Sequence, residues 1–531
     1  MKSLKVFIIC LLFFIDLLSQ EEPKQSTAVE LPDFIITGKD IVRIKKSDKQ
    51  TPFFVGALTE SFILPKFSPE EIPTKELMVP IREDLKIFNN NEFYKGFISG
   101  SLGFYSLPDL NANYSTPIEN GIVQAKFSGI YNRPYLENTD NYKVSLGGNL
   151  NYWSDINSSF LPGTKFKLNA DLSTNGYKFF GSNNPTIKRS INNLYADFDI
   201  SNEYNPSFLF KILGSNDFIS LSGENFKANL LDLSLYSLIR FSFVNIGLYS
   251  NFKSSFINND TSNHPERNYV VLRPTAGFQF TELVKGSFGF TISQTKEDKF
   301  IMPYAELALK LSRGLVLFGQ FYPSTYFVTP SDLLKINPYL FVNKSSNFLM
   351  KKNLQYSIEV KFENRLDFEV IGGFKYFSSD SAYYFYESER GKYSIAFSDV
   401  KSITPFVNLN IFPSSFGYFF GALELNASQN DTGQTIPYSP SLKLNAEYGY
   451  TFNNILTTAI KLSYIRNFYT DIINSKKIEN YIDLGLSLSY KFDNRFDIQV
   501  RFENLINNKN YLWNNYQEKP FDIILGVKYK L

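Results

Sequence analysis

From about Tyr94 to Leu531 the chain alternates apolar and polar residues with a period of two, and this pattern limits its possible folds more than any other feature. In the final stretch, FDIILGVKYKL, one set is Phe521, Ile523, Leu525, Val527, Tyr529 and Leu531; the other is Asp522, Ile524, Gly526, Lys528 and Lys530. Successive side chains of a strand point to opposite faces, so this is a strand with one greasy and one largely polar face. The same reading applies to NLQYSIEVKFE (apolar set Leu354 to Phe362), SLKLNAEYGY (Leu442 to Tyr450), YIDLGLSLSYKF (Ile482 to Phe492) and FDIQVRF (Phe496 to Phe502). Convincing amphipathic helices are missing, and after the N-terminus no run of 18 apolar residues offers a helical membrane span.

So many one-sided strands need something to cover their apolar faces. In a soluble sandwich a second sheet would do so, but the chain has no second family of elements. The apolar faces are also loaded with aromatics: the chain contains 53 Phe and 34 Tyr against 2 Trp. A transmembrane barrel resolves both points, because lipid covers the outside and closure pairs every backbone group. The connections support it. Those at Phe492–Phe496, Thr451–Asn454 and Phe412–Ser415 are short, whereas those around Tyr322–Lys351, Asn426–Pro437, Tyr469–Asn480 and Glu503–Pro520 are long. Outer-membrane barrels show short periplasmic turns and long outer loops. The expectation is an all-β, antiparallel transmembrane barrel over residues 95–531. It has about 22 strands, the first starting near Gly96, and Phe521–Leu531 is the closing strand that pairs with it. The assignment of Asp217–Leu221 to one strand or two stays open.

The first residues, MKSLKVFIICLLFFIDLLSQ, read as a secretory signal over residues 1–19: Lys2 and Lys5 precede a short apolar core, Val6–Leu18, interrupted by Asp16. Cys10 lies inside that core, so the exported chain would lack cysteine, which excludes disulfides and thiolate metal sites. Residues 20–94 form a separate segment, charged and proline-punctuated around the apolar patch Phe34-Ile35-Ile36. We expect it to be extended, in the periplasm or the lumen. The net charge of +2 carries no nucleic-acid signature. The single His264, with Ser262 and Glu266 nearby, is a candidate for hydrolase chemistry, as are carboxylate pairs of the lumen wall, which are more often structural than catalytic. An exposed loop histidine is the simpler reading, and one histidine cannot build a His-rich metal site. The expectation is a non-enzyme with no cofactor, metal or catalytic residue. The lumen-facing residues of the last strands balance Glu447, Asp483, Asp497, Glu503 and Asp522 against Lys443, Lys491, Arg501, Lys528 and Lys530. Such a wall suits a hydrated interior rather than a strongly ion-selective pore.

Three stretches carry a family resemblance. Arg501–Tyr511, with Asn504-Leu505 and Tyr511, looks like the end of the last outward strand and its loop in TonB-dependent receptor barrels. Asn337-Pro338-Tyr339-Leu340 is similar to that family's mid-barrel Asn-Pro-x-Leu loop. Val29–Gly38 resembles the segment leading to the energy-coupling box near the mature N-terminus. The resemblance implies an outer-membrane protein of a Gram-negative-type bacterium that takes up a solute or lets it diffuse. Its implied partners are lipid, the barrel-assembly machinery and a TonB-like periplasmic protein; the apolar patch Phe34, Ile35 and Ile36 is the candidate partner-binding site, where the segment docks on a periplasmic protein by strand addition, the alternative being that the segment partly occludes the barrel. Residues 20–94 are fewer than the usual plug domain of that family. The alternative is a non-transport scaffold or adhesin displaying its outer loops.

Overall fold

The computed structural model describes residues 95–531 apart from 159–160, 203–206, 242, 259–267, 297, 343–346 and 365–366. The expectations for residues 1–19, 20–94 (with Phe34, Ile35 and Ile36) and His264 lie outside the described residues.

Twenty-two antiparallel strands form a closed ring. They are β1 (Gly96–Gly103), β2 (Ser106–Ile118), β3 (Gly121–Asn132), β4 (Asn141–Trp153), β5 (Thr164–Lys178), β6 (Lys188–Asn202) and β7 (Phe208–Ser222). Next come β8 (Phe226–Arg240), β9 (Val244–Ile257), β10 (Asn268–Gln279), β11 (Val284–Gln294), β12 (Lys299–Lys310), β13 (Leu315–Phe321) and β14 (Leu354–Asn364). The ring finishes with β15 (Phe368–Glu389), β16 (Lys392–Ser414), β17 (Gly417–Leu425), β18 (Leu442–Phe452), β19 (Leu456–Ile465), β20 (Tyr481–Lys491), β21 (Phe496–Glu503) and β22 (Asp522–Lys530). Each strand pairs with its sequence neighbours, and β22 pairs with β1 from Phe97↔Lys530 to Gly103↔Ile524. The expected strand count and closing strand are therefore both present, and Asp217–Leu221 lies within the single continuous strand β7.

The alternation sets the two faces as expected. In β22, Leu525 and Val527 are 58% and 49% exposed, whereas Ile524 is 2% exposed. In β14, Leu354, Tyr356, Ile358, Val360 and Phe362 all point outward while Gln355 and Ser357 are buried on the lumen side. Exposed apolar side chains on this scale suit hydrocarbon, not water. Phe243, Phe280, Phe416 and Phe492 stand exposed at the short-turn end, where an aromatic girdle meets the membrane surface.

The three short turns singled out in the sequence, at 415–416, 453–455 and 492–495, lie at the end that carries Gly96 and Leu531. At β18–β19, Asn453 and Asn454 both adopt left-handed backbone (φ 47° and 57°), which asparagine tolerates better than most residues. Polar side chains tie the seam between β1 and β22. Asp522 accepts hydrogen bonds from the backbone N–H groups of Phe104, Tyr105 and Ser106 at 2.8–3.3 Å, and from Lys519 Nζ at 3.0 Å. At the opposite end Lys530 pairs with Asp497 at 3.0 Å, and the N–H of Leu531 donates to the Gly96 carbonyl. Within the wall Arg501 pairs with Asp109, Lys443 with Glu424 and Lys519 with Glu503, so the balanced lumenal charges form a network across strands.

The face assignment has a direct test. Leu525→Arg or Val527→Arg places a charge against lipid and costs about 2–4 kcal/mol at mid-bilayer. Ser487→Arg, on the lumen side of β20, is tolerated. Heat-modifiable mobility of the three variants measures this, and equal effects would invert the faces.

Candidate functional site

At the other end of the barrel, described loop residues pack over the mouth. The 32-residue connection 322–353 turns inward. Its arms pair as a hairpin, Ser324–Val328 with Phe348–Lys352, and Phe327 stacks on Tyr269 of the inner wall at 5.9 Å. Between the arms lies a short helix, α1 (Pro330–Ile336). Thr329 caps it: the Thr329 side chain accepts from the Asp332 N–H, Asp332 accepts in return from the Thr329 N–H, and Pro330 occupies the first turn. The sequence reading took this stretch as loop, although Thr-Pro-Ser-Asp carries a helix-start signal. The helix is fixed to the lumen face of β7, where Asp217 accepts from Ser331 Oγ at 2.7 Å and Lys335 Nζ at 2.6 Å. Leu333 and Leu334 are fully buried beneath it.

Asn337-Pro338-Tyr339-Leu340 follows α1 and holds the centre of the mouth. Its carbonyls would be stranded there without donors, because burial away from water leaves each one unsatisfied. Arg189 at the outer end of β6 supplies them: Nη1 donates to Pro338 O at 2.9 Å and Leu340 O at 2.7 Å, while Nε donates to Glu224 at 2.8 Å. Its guanidinium also lies 4.5 Å from the Phe179 ring. The Tyr177 hydroxyl donates to Pro338 O as well. Tyr339 stacks on Tyr516 with centroids 3.4 Å apart and planes 13° from parallel.

From there the core continues. Trp513 packs on Tyr393 and Tyr438 at 5.2 and 4.7 Å, and Phe348 on Tyr383 at 5.3 Å. The Tyr393 hydroxyl donates to Asn514 O, and Phe341 N–H donates to Tyr393 O. The buried cluster includes Ala228 of β8 and Ile465 of β19, strands eleven positions apart in a ring of 22, so a single apolar core bridges the mouth. Three backbones also meet at the rim, where a side chain on Gly181 would strike Asn515 O and one on Gly391 would strike Gly181. Asn514 and Asn515 donate to the Glu387 carboxylate at 2.7 Å, which pins the loop 504–521 to the tip of the β15–β16 hairpin. Asn504, at the start of that loop, takes a left-handed backbone and bonds Asn508 O and Lys519 O, while Asn510 bonds the backbone of Ile482. The Asn504–Tyr511 stretch singled out in the sequence thus organises the last loop.

Burial pushes the hydroxyls of Tyr339, Tyr438 and Tyr516 well above their ordinary range, so they stay protonated and add no charge to the closed mouth. Among the described residues no group of three or more histidines, cysteines or carboxylates is placed to hold a metal. Arg189, Tyr393, Trp513 and Tyr516 escaped the sequence reading, since nothing distinguishes them there from other lumenal or loop residues.

No protein-family model and no curated protein matches the chain. Solved structures do. The siderophore receptor PirA of Acinetobacter baumannii superposes with a TM-score of 0.60 at 9% identity, over 82% of this chain and 80% of that one. The ferric-catecholate import receptor Fiu of E. coli K12 gives 0.59 at 10% identity, over 83% and 82%. The pyoverdine receptor FpvA of Pseudomonas aeruginosa PAO1 gives 0.60 at 11%, over 82% and 78%. The fold is that of the TonB-dependent receptor barrels. Identities this low are evidence for fold alone.

Two outcomes are expected at this mouth. Arg189→Ala removes the donors of two buried carbonyls and costs the closed arrangement about 3 kcal/mol, so limited proteolysis from the outside cuts faster within 337–341 and 509–519 while the barrel stays heat-modifiable. A tyrosine exposed by opening ionises near pH 10, roughly its ordinary value, whereas the closed ones keep their protons. The closed state binds more protons, so its stability is intact below that pH and falls as pH rises above it; tyrosinate absorbance then grows together with protease sensitivity.

Proposed function

We propose that the chain is an outer-membrane receptor-type barrel that takes up a solute through a gated lumen. The observation that carries this reading is the apolar core of inward-folded loop residues bridging the outer mouth. A ring of 22 strands encloses a wide space that must be filled or closed if the membrane is not to leak. A scaffold or adhesin would present its loops outward for partners. Here connection 322–353 buries its apolar residues in the barrel and is anchored on the inner wall at Asp217 and Arg189, which disfavours that alternative.

The fold likeness to import receptors for siderophores, ferric catecholates and pyoverdine supports uptake as the task. Gram-negative outer membranes are the setting in which barrels of this size are built, and the greasy outer face of β22 suits both lipid and recognition by the assembly machinery. Energy coupling would come from a TonB-like periplasmic protein docking by strand addition on Phe34-Ile35-Ile36. The likeness to import receptors also supports a non-enzymatic role.

Single-channel recording of the purified protein in a planar bilayer tests the reading. The intact protein is expected to conduct weakly. Replacing residues 323–352 by a short Gly-Ser linker opens the outer mouth, raising conductance and sensitizing cells to large antibiotics. A large steady conductance in the intact protein would contradict a gate. Deleting Gln20–Asp84 with the signal retained should abolish energised uptake and the co-purification of a periplasmic partner.

A further inference from the structure

At the end that carries Gly96 and Leu531, the connection between β4 and β5, 154–163, has ten residues, whereas every other connection there has five or fewer. Its described part is folded on itself. Ser154 closes it: the N–H donates to Thr164 O at 2.9 Å, and the hydroxyl donates to Leu161 O and accepts from the Thr164 N–H at 2.7 Å. Asp155 braces the other side. Its carbonyl accepts from the N–H groups of Ser158 and Gly163, and its carboxylate accepts from the Asn157 N–H at 2.9 Å. Leu161 is held at φ 47°, in the left-handed region that a bulky side chain rarely takes. A braced loop with a strained residue, placed where the fold needs only a turn, marks a site with a task of its own.

Beside the loop lies a cleft of about 550 Å³, lined by Asn120, Trp153, Ser154, Asp155, Ile156 and Gly163. Its volume falls within the range of small-molecule sites. Trp153 is one of two tryptophans in the chain and is 42% exposed. It is not an anchor in lipid. It shares the strand parity of Asn149 and Asn151, which bond each other on the lumen side, whereas the lipid face of β4 is marked by the exposed Leu146. Lys165, paired with Trp153 across the ladder, holds its ammonium 5.7 Å from the indole ring. Among the described residues, no hydrogen bond reaches the indole N–H, the Asn120 side chain or the second carboxylate oxygen of Asp155. Ile156 adds an exposed apolar surface beside them.

We propose that this cleft binds an N-acetylated amino sugar of the cell-wall glycan that lies beneath the outer membrane, and so tethers the barrel to the wall. An acetamido sugar offers an N–H, a carbonyl, a methyl group and a ring face rich in C–H. The cleft meets each of them: Asp155 accepts, the indole N–H and the Asn120 amide donate, Ile156 receives the methyl and the Trp153 ring receives the sugar face. Asp155 and Glu119 against Lys165 leave one net negative charge about the site, which disfavours a phosphorylated or other anionic ligand. The cleft lies at the opposite end from the closed mouth, so the inference is independent of the gate.

The purified full chain in detergent is mixed with isolated sacculi of a Gram-negative bacterium and sedimented. Free N,N′-diacetylchitobiose serves as competitor and as calorimetric ligand, and maltose as the disaccharide without acetamido groups. The chain is expected to sediment with sacculi, and diacetylchitobiose to bind and to compete, while maltose does neither. Trp153→Ala and Asn120→Ala should each weaken both readouts tenfold or more. Phe416→Ala, at another turn of the same end, should change neither. Unchanged heat-modifiable mobility shows that each variant is folded, and either one alone carries the test. No sedimentation, equal binding of maltose, or unaltered binding in the two folded variants would overturn the proposal. Binding of the free disaccharide without sedimentation on sacculi would overturn the cell wall as its source.

Discussion

Hydrocarbon offers no hydrogen bonds, and everything else in this protein follows from that. A strand in lipid must pair both of its edges, so the sheet has to return on itself. The pairing of β1 with β22 is therefore the contact that makes the other twenty-one ladders possible. Once the ring is closed, its outer face has one task, to be apolar, and the chain meets it with Leu, Ile, Val and Phe at every second position. Its inner face is released from that demand and carries Asn, Ser, Asp, Lys and Arg in cross-strand networks such as Arg501–Asp109 and Lys530–Asp497.

A ring this wide creates a second problem, a hole. The chain answers it at the outer end by turning its longest loop inward and building a small globular core where a pore would open. The same residue types that face lipid are used again here, but the physics differs. Phe and Tyr on the outside are dissolved in hydrocarbon, while Tyr339, Tyr393, Trp513 and Tyr516 are packed among aromatic neighbours, with the Tyr393 and Tyr516 hydroxyls donating to the carbonyls of Asn514 and Gly391. Arg189 joins the two systems. Its stem belongs to the barrel wall and its guanidinium to the loop, so wall and core are bound through one planar group with five donors.

This division explains how much could be read beforehand. Strand alternation is a local property, repeated every two residues, and it revealed the barrel, the strand count and the closing strand. The core at the mouth is assembled from segments hundreds of residues apart, and no local period marks it. Asn337–Leu340 and Asn504–Tyr511 were noticed only through a family resemblance, and both prove to be structural pivots. The helix α1 was legible in Thr329-Pro330-Ser331-Asp332 and was passed over because seven residues leave no periodicity to see. Arg189 looks in sequence like any other lumenal charge; only its carbonyl partners, some 150 positions away, distinguish it.

The seam tied by Asp522 has a consequence for how the molecule comes into being. That carboxylate collects the N–H groups of Phe104, Tyr105 and Ser106, which lie more than 400 residues earlier in the chain. None of these bonds can form until the last strand exists and has met the first. These long-range bonds thus form only together with the ladder that removes the final pair of open edges. Contacts of such span are slow to find, and until they are found the nascent sheet has two adhesive margins. Asp522 acts as a clasp that rewards meeting in the correct register, since a slip of one residue would turn the carboxylate from the lumen to the lipid.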